Sequence, residues 1–244
     1  MTHSVWIVDE PNGKHRKAPG DRLTLCPGEV RVRIAASGEN PLDTKIRAGK
    51  ADHAKQPLSA VLGLDMAGIA EEIAADLTVF SVGDEVYGMV GGVGGLQGTL
   101  AESITCDARL IAQKPENLSM RQAAALPLSV ITSWEALVDR AKVHTGQSVL
   151  IHAGAGGVGH GAVQIARSFG AEVFATVSPE KAAIVTSLGA TPIDYRALKV
   201  EEYVDEFTNG KGFDIIFDTV GGATLDQSFT AVKRYSGHVV SALG

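Results

Sequence analysis

The sequence predicts an α/β protein in two parts, a small β-barrel or sandwich over residues 1–120 followed by a doubly wound parallel sheet over residues 121–244. Three observations carry this expectation. Before about residue 120, short β-type runs recur between turn residues, the rhythm of a small all-β unit. After it, strands alternate with helices, which argues for parallel strands joined by right-handed crossovers. Between one such strand and the following helix lies Gly154-Ala155-Gly156-Gly157-Val158-Gly159, which has the spacing G-x-G-x-x-G.

In the first part the candidate strands are Ser4–Val8, Glu29–Ala35, Met66–Ile73, Glu85–Val90 and Ala101–Cys106. The segment Glu29–Ile34 alternates strictly, which places Val30, Val32 and Ile34 on one face of a half-buried strand. In the second part Ser148–Ala153 and Glu172–Val177 read as strands. Val158–Phe169 reads as a helix with Val158, Ala162, Ile165, Ala166 and Phe169 on one face. Pro179–Leu188 reads as a helix capped by Ser178, with Pro179 in its first turn and Gly189 just past its end. A strand at Thr191–Tyr195, a helix near Val200–Phe207, a strand at Phe213–Val220, a helix near Thr224–Arg234 and a strand at His238–Leu243 complete the alternation.

Charge and composition narrow the function classes. Twenty-two Lys and Arg face 28 Asp and Glu, a formal charge of −6, which opposes a broad footprint for nucleic acid or an anionic membrane. The two cysteines, Cys26 and Cys106, are too few for a disulfide framework or a cysteine-based structural zinc site, so a reducing compartment is expected. The start, Met1-Thr2-His3-Ser4-Val5-Trp6, lacks the basic-then-apolar pattern of a signal peptide. No stretch of about 18 apolar residues occurs. A soluble, cytoplasmic protein is the expectation.

The glycine motif sits where its chemistry requires. Glycines allow the tight turn from strand to helix and let the backbone approach a pyrophosphate, whose charge then rests on free amides at the helix N-terminus. A second cluster, Gly91-Gly92-Val93-Gly94-Gly95, leads into no helix and reads as a loop. About twenty residues past the fingerprint, an acid would mark NAD(H) by binding the ribose 2′-hydroxyl. Here the run is Thr176-Val177-Ser178-Pro179-Glu180-Lys181. Ser178 and Lys181 offer a hydroxyl and a cation to a 2′-phosphate, which favours NADP(H). Glu180 is the counter-evidence, although an acid in the first turn of a helix ordinarily faces solvent.

These residues, with Asn40-Pro41-Leu42-Asp43, Gly63-Leu64-Asp65-Met66-Ala67-Gly68, Val82–Gly88 with its Gly83-Asp84 turn, Leu128–Leu137 with Thr132, and Phe217-Asp218-Thr219-Val220-Gly221-Gly222, resemble the zinc-independent quinone oxidoreductase (zeta-crystallin-like) branch of the medium-chain dehydrogenase/reductase superfamily. The resemblance covers nearly the whole chain. It implies a GroES-like barrel carrying much of the substrate cleft and a Rossmann domain holding NADPH. Zinc-dependent relatives place a Cys near Asn40, a Gly-His-Glu at the Gly63 motif and a four-cysteine lobe. Here Leu64-Asp65 stands in place of His-Glu and the cysteines are absent, which implies hydride transfer without zinc. His53, His144, His152, His160 and His238 read as ordinary surface or packed histidines.

By the same resemblance, Gly154, Gly156, Gly157, Val158 and Gly159 would carry the pyrophosphate, and Ser178, Lys181 and Tyr195 the adenosine 2′-phosphate. Asn40 and Thr132 would approach the nicotinamide and its ribose, and Thr219, Val220 and Leu243 would line the ring's floor. The implied reaction moves hydride to an electron-poor small-molecule acceptor, a quinone or α,β-unsaturated carbonyl. Asn40 is the best candidate donor to the acceptor's oxygen, with Asp43 and Lys45 on the same loop and Thr132 beside them as further candidates. Asp43 also reads as a loop cap. Relatives continue past Leu243-Gly244 with segments that complete both domains and the homodimer edge, so the resemblance implies a C-terminally incomplete member. Two alternatives accompany this reading, a non-catalytic NADPH-binding protein of the same fold and a truncated, inactive fragment. A zinc alcohol dehydrogenase is disfavoured by the missing ligands.

Overall fold

A computed structural model describes residues 3–22 and 24–242, and the chain divides after Leu128 into two compact units. The first contains β1 (His3–Val8), β2 (Arg16–Gly20), β3 (Glu29–Ser37), helix α1 (Pro41–Arg47), β4 (Ala60–Val61), β5 (Asp65–Ile73), β6 (Glu85–Met89), β7 (Ser103–Asp107), β8 (Ile111–Gln113) and helix α2 (Met120–Ala124). Two antiparallel sheets result, in the orders β2-β1-β4 and β7-β3-β5-β6-β8. The larger sheet closes over Val30, Val32, Met66, Val86 and Ile104. A second cluster gathers Val8, Ile46 and Leu62 around α1.

Three features of this unit depart from the sequence reading. The segment from Asn40 to Lys45 is not a loop but the start of α1, because Asn40 is extended at the N-cap, Pro41 opens the helix and the Asp43 carboxylate accepts the Asn40 amide at 2.8 Å. The strand β2, Arg16-Lys17-Ala18-Pro19-Gly20, carries two cations and a proline and so reads poorly as a strand; it is tolerated at a sheet edge, where proline costs no ladder hydrogen bond. Strict alternation in β3 would send Arg31 to solvent. It is instead buried in the middle of the sheet, held by Glu72 Oε2 and Thr105 Oγ1, both at 3.0 Å, where the β3–β5 register shifts between Arg31 and Val32.

The division lies within helix α3 (Pro127–Trp134), beyond the change of style near residue 120, because α2 packs against β3 and β5 of the first unit. The helix continues with π-type hydrogen bonding over Glu135–Arg140. Then follow β9 (Ser148–Ile151), α4 (Gly157–Ser168), β10 (Glu172–Val177), α5 (Ala182–Ser187), β11 (Thr191–Asp194), α6 (Val200–Thr208), β12 (Ile215–Asp218), α7 (Ala223–Ala231) and β13 (His238–Ser241). Residues 179–181 form a separate 3₁₀ turn ahead of α5, so the helix expected from Pro179 is shorter than its pattern suggested.

All five strands are parallel, in the order β11-β10-β9-β12-β13. Their near-continuous apolar character follows from burial on both faces. Val149, Ile151, Val173, Ala175, Ile215 and Phe217 face one cluster, which includes Ala162, Val163 and Ala166 of α4. The intervening Leu150, Phe174 and Ile216 face the other, with Tyr203 and Val204 of α6 and Ala231 of α7. The chain runs outward from β9 to β11 and then returns to β12 on the other side of β9, which places a topological switch at the carboxyl ends of β9 and β12.

Candidate functional site

The turn after β9 shows which glycines the fold needs and which it does not. A Cβ at Gly154 would lie 2.5 Å from the Ala175 methyl, and one at Gly159 would collide with the Ala153 carbonyl. These two permit close packing of strand against helix. A Cβ at Gly157 would meet nothing within 4 Å, and the backbone there is not left-handed. Packing therefore does not demand glycine at 157. The open space lies over the first turn of α4, where Gly157, Val158 and Gly159 have amides with no preceding helical carbonyl to accept them. An unbranched position, free amides and a helix N-terminus make a cradle that a side chain would fill. The donor set fits the pyrophosphate of a dinucleotide.

A cleft of about 970 Å³ opens beside this turn, wholly within the second unit. It brings together Gly156, Ser178, Lys181, Tyr195 and Val220, which the sequence singles out. It is also lined by His152, Thr176, Arg196, Lys199, Thr224 and Gln227, to which the sequence assigns no role. Glu180 does not line the cleft. Its carboxylate lies 3.4 Å from Arg196 Nη1, at the cleft's rim, and both side chains are well exposed. Hydrogen bonding from Ser178 and the nearby Arg196 hold the Glu180 carboxyl below the usual range. The polar end of the cleft thus presents Lys181, Arg196 and Lys199 against Glu201. Arg196 stacks 5.6 Å from the centre of the Tyr195 ring, and its amide is held by Asp194 Oδ1 at 2.9 Å.

At the other end of the fingerprint, Thr219 Oγ1 donates to the His152 carbonyl at 2.8 Å, tying the end of β12 to the end of β9. Asp218, fully buried, accepts the amides of Val220 and Gly221 and the Ser241 hydroxyl. This pins the Thr219-Val220-Gly221 turn. Thr132 lies half-buried in the middle of α3. Leu243 lies outside the described residues. The glycine run from Gly91 to Gly95 is a loop between β6 and β7. Its first two glycines permit close approach of the Gln97 and Gly63 carbonyls.

In the first unit a buried carboxylate pair surrounds Asn40. Asp43 accepts the Asn40 amide at 2.8 Å and the Gly63 amide at 3.1 Å, so it joins α1 to the loop before β5. Asp65, wholly inaccessible, accepts Asn40 Nδ2 at 3.0 Å and the Leu128 amide at 3.2 Å. Burial pushes the Asp65 carboxyl up to about 6, against the lowering effect of those donors, and raises Asp43 as well. The sequence does not mark Asp65 as functional; an acid inside the otherwise apolar run from Leu62 to Ala67 is the signal that could have found it. Among the described residues, no group of three His, Cys, Asp or Glu comes together to hold a metal ion. Cys106 is buried and its thiol is pushed up to about 12, chiefly by burial, which suits packing and not nucleophilic chemistry. No helix among the described residues is long and apolar enough to cross a membrane.

Residues 26–116 match the alcohol dehydrogenase GroES-like domain, and residues 157–242 match the zinc-binding dehydrogenase family. Among solved structures, an alcohol dehydrogenase superfamily protein from Novosphingobium aromaticivorans is 54% identical, with a TM-score of 0.97 over 99% of this chain and 73% of that one. The CurK enoyl reductase is 32% identical, with a TM-score of 0.88 over 98% of this chain and 73% of that one. The Escherichia coli quinone oxidoreductase, solved with NADPH, is 28% identical, with a TM-score of 0.80 over 99% and 72%. A curated relative, the spectinabilin polyketide synthase system protein NorB of Streptomyces orinoci, is 37% identical over 215 residues. Those residues are 88% of this chain, and the match spans 9% of that much longer protein.

Proposed function

This chain belongs to the medium-chain dehydrogenase/reductase superfamily, and from that premise we propose that it is an NADPH-dependent reductase acting without zinc on a quinone or an α,β-unsaturated carbonyl. The single observation that carries the cofactor choice is the polarity of the cleft. Ser178, Lys181, Tyr195 and Arg196 line it, while Glu180, the acid placed to bind a ribose 2′-hydroxyl, is not among the lining residues and is paired with Arg196 and Ser178. Zinc independence is supported by the donor set. Where zinc-dependent relatives present His-Glu, this chain has Leu64-Asp65, and Asp65 is committed to the Asn40 side chain and the Leu128 amide. The likeness to a quinone oxidoreductase and to an enoyl reductase supports an electron-poor acceptor with a conjugated oxygen.

A bound nicotinamide dinucleotide supplies the hydride. In this reading the amides of Gly157 and Val158 hold the pyrophosphate, with Gly154, Gly156 and Gly159 shaping the turn. Ser178, Lys181 and Tyr195 hold the 2′-phosphate, and Thr219 and Val220 close the floor under the ring. Asn40 is the donor to the acceptor's developing oxyanion. Its side chain is oriented by Asp65, which accepts Nδ2 at 3.0 Å, and it also hydrogen-bonds the Asp43 carboxylate. Asp43 holds the Asn40 backbone. Oxidation of NADPH should be followed with a panel of small quinones, enones and enoyl thioesters, alongside NADH. Turnover with at least one acceptor and a preference for NADPH is expected. Tight NADPH binding with no turnover on any acceptor would assign a binding role instead.

A further inference from the structure

The cleft contains a polar chain that nothing above uses. His152, 3% exposed at the end of β9, has both ring nitrogens engaged: Nδ1 lies 3.2 Å from Thr176 Oγ1, and Nε2 lies 3.1 Å from Ser228 Oγ. Ser228 Oγ lies 2.9 Å from the Thr224 carbonyl, and with its single hydroxyl proton given there Ser228 Oγ accepts from His152 and Nε2 carries the proton. In a neutral imidazole Nδ1 is then bare and accepts the Thr176 hydroxyl. Thr176 Oγ1 in turn accepts the Ala153 amide at 3.1 Å.

Ala153 is the residue this chain ends on. It is a non-glycine residue in the left-handed region, φ +53°, at the entry to the glycine turn. Thr176 grips that entry twice, its hydroxyl on the Ala153 amide and its carbonyl on the Gly154 amide at 3.1 Å. The Ala153 carbonyl then accepts Gly156 at 2.8 Å, one step before the cradle at Gly157. We infer that Ser228, His152 and Thr176 form a one-way hydrogen-bond relay that holds the Ala153 amide and so sets the turn on which the pyrophosphate rests. Thr176 and His152 are positioning residues in this scheme. Burial favours the neutral imidazole and lowers its basicity, with Asp218, the charged group beside it, acting the opposite way. The inference rests on the dinucleotide reading of the turn.

The test uses the full chain labelled with ¹⁵N at histidine, and the variants Thr176→Val, Thr176→Ser and Ser228→Ala. The ring shifts of His152 in the unaltered protein should report a neutral Nε2–H tautomer, and Ser228→Ala should perturb them. Titration calorimetry with NADPH and with ADP-ribose should show Thr176→Val weakening both to a similar extent, by about five- to tenfold, as expected when only about a tenth to a fifth of the untethered turns keep the binding-competent conformation. Thr176→Ser, which keeps the hydroxyl, should stay within about twofold of the unaltered protein. A charged or Nδ1–H His152, unchanged affinity in Thr176→Val, or a serine variant as weak as the valine one would overturn the relay. Hydrogen exchange at the Ala153 amide separates this from the cofactor reading. If the unaltered protein binds neither ligand, the dinucleotide reading fails. Faster exchange in Thr176→Val but not in Thr176→Ser still supports the relay, and equal exchange overturns it.

Discussion

At the scale of single residues, the cleft and the buried acids each make a sharp claim. Lys181 lines the cleft, and no ion pair engages it among the described residues, so its charge is available to a ligand. We expect Lys181→Ala to weaken NADPH by about tenfold while leaving NADH nearly unchanged, since only NADPH carries the 2′-phosphate. Equal losses for both cofactors would reassign that end of the cleft. Asp65 makes a claim about pH. Its carboxyl sits at about 6 in the folded chain, above its value when unfolded, so its contribution to stability is whole below about pH 4 and is lost as pH rises through about 6. The neutral isostere Asp65→Asn should therefore gain on the unaltered protein as pH rises from about 4.5 to 7.5, by about 2 kcal/mol, measured by urea melts. Parallel curves across that range would show that the carboxylate is not strained by burial. Asn40 was legible as a candidate from the chain alone. Its orientation was not, because the partner that sets it is 25 residues away, just ahead of the run Met66–Ile73 that reads as a strand.

At the scale of elements, α4 separates two kinds of glycine that look identical in the motif. Gly159 is demanded by the contact with the Ala153 carbonyl, whereas Gly157 has open space before it. Gly157→Val should leave the circular dichroism and melting temperature close to those of the unaltered chain and abolish cofactor titration. Gly159→Val should lower the melting temperature, since overpacking costs about 1–3 kcal/mol or more. If both variants bind cofactor, the turn serves packing only. The helices and inner strands of the second unit were legible because burial on one or both faces imposes a strong period on the residues, as the Val158–Phe169 stripe shows in its contacts with the sheet. Three of the elements that escaped have causes that leave no apolar period. Helix α1 depends on a cap and a proline, β2 on being at an edge, and the 3₁₀ turn at 179–181 on the proline that opens it.

At the scale of the whole molecule, a net charge of −6 surrounds a cleft whose polar end gathers three cations against one acid. The field of the chain opposes a polyanionic ligand while the cleft attracts it, and the two act over different distances. Short-range attraction to the 2′-phosphate should dominate, so raising salt from about 0.05 to about 0.5 M should weaken NADPH roughly three- to tenfold more than NADH. Identical salt slopes would mean that the extra phosphate meets no concentrated positive charge. The chain by itself determined the two-part architecture, the parallel alternation and the glycine turn between strand and helix. Each of these is written in short-range patterns: the period of apolar residues, the spacing of glycines and the sign of nearby charge. Only the tertiary structure decided that Glu180 pairs with Arg196, that Arg196 and Lys199 share a cleft with Lys181, that Asp65 holds Asn40, and that a buried histidine links Ser228 to the glycine turn. Those pairings join residues far apart in the chain or set the direction of an exposed side chain. Neither leaves a periodic trace, because the energy that selects them is a hydrogen bond or charge contact made after the sheets have formed.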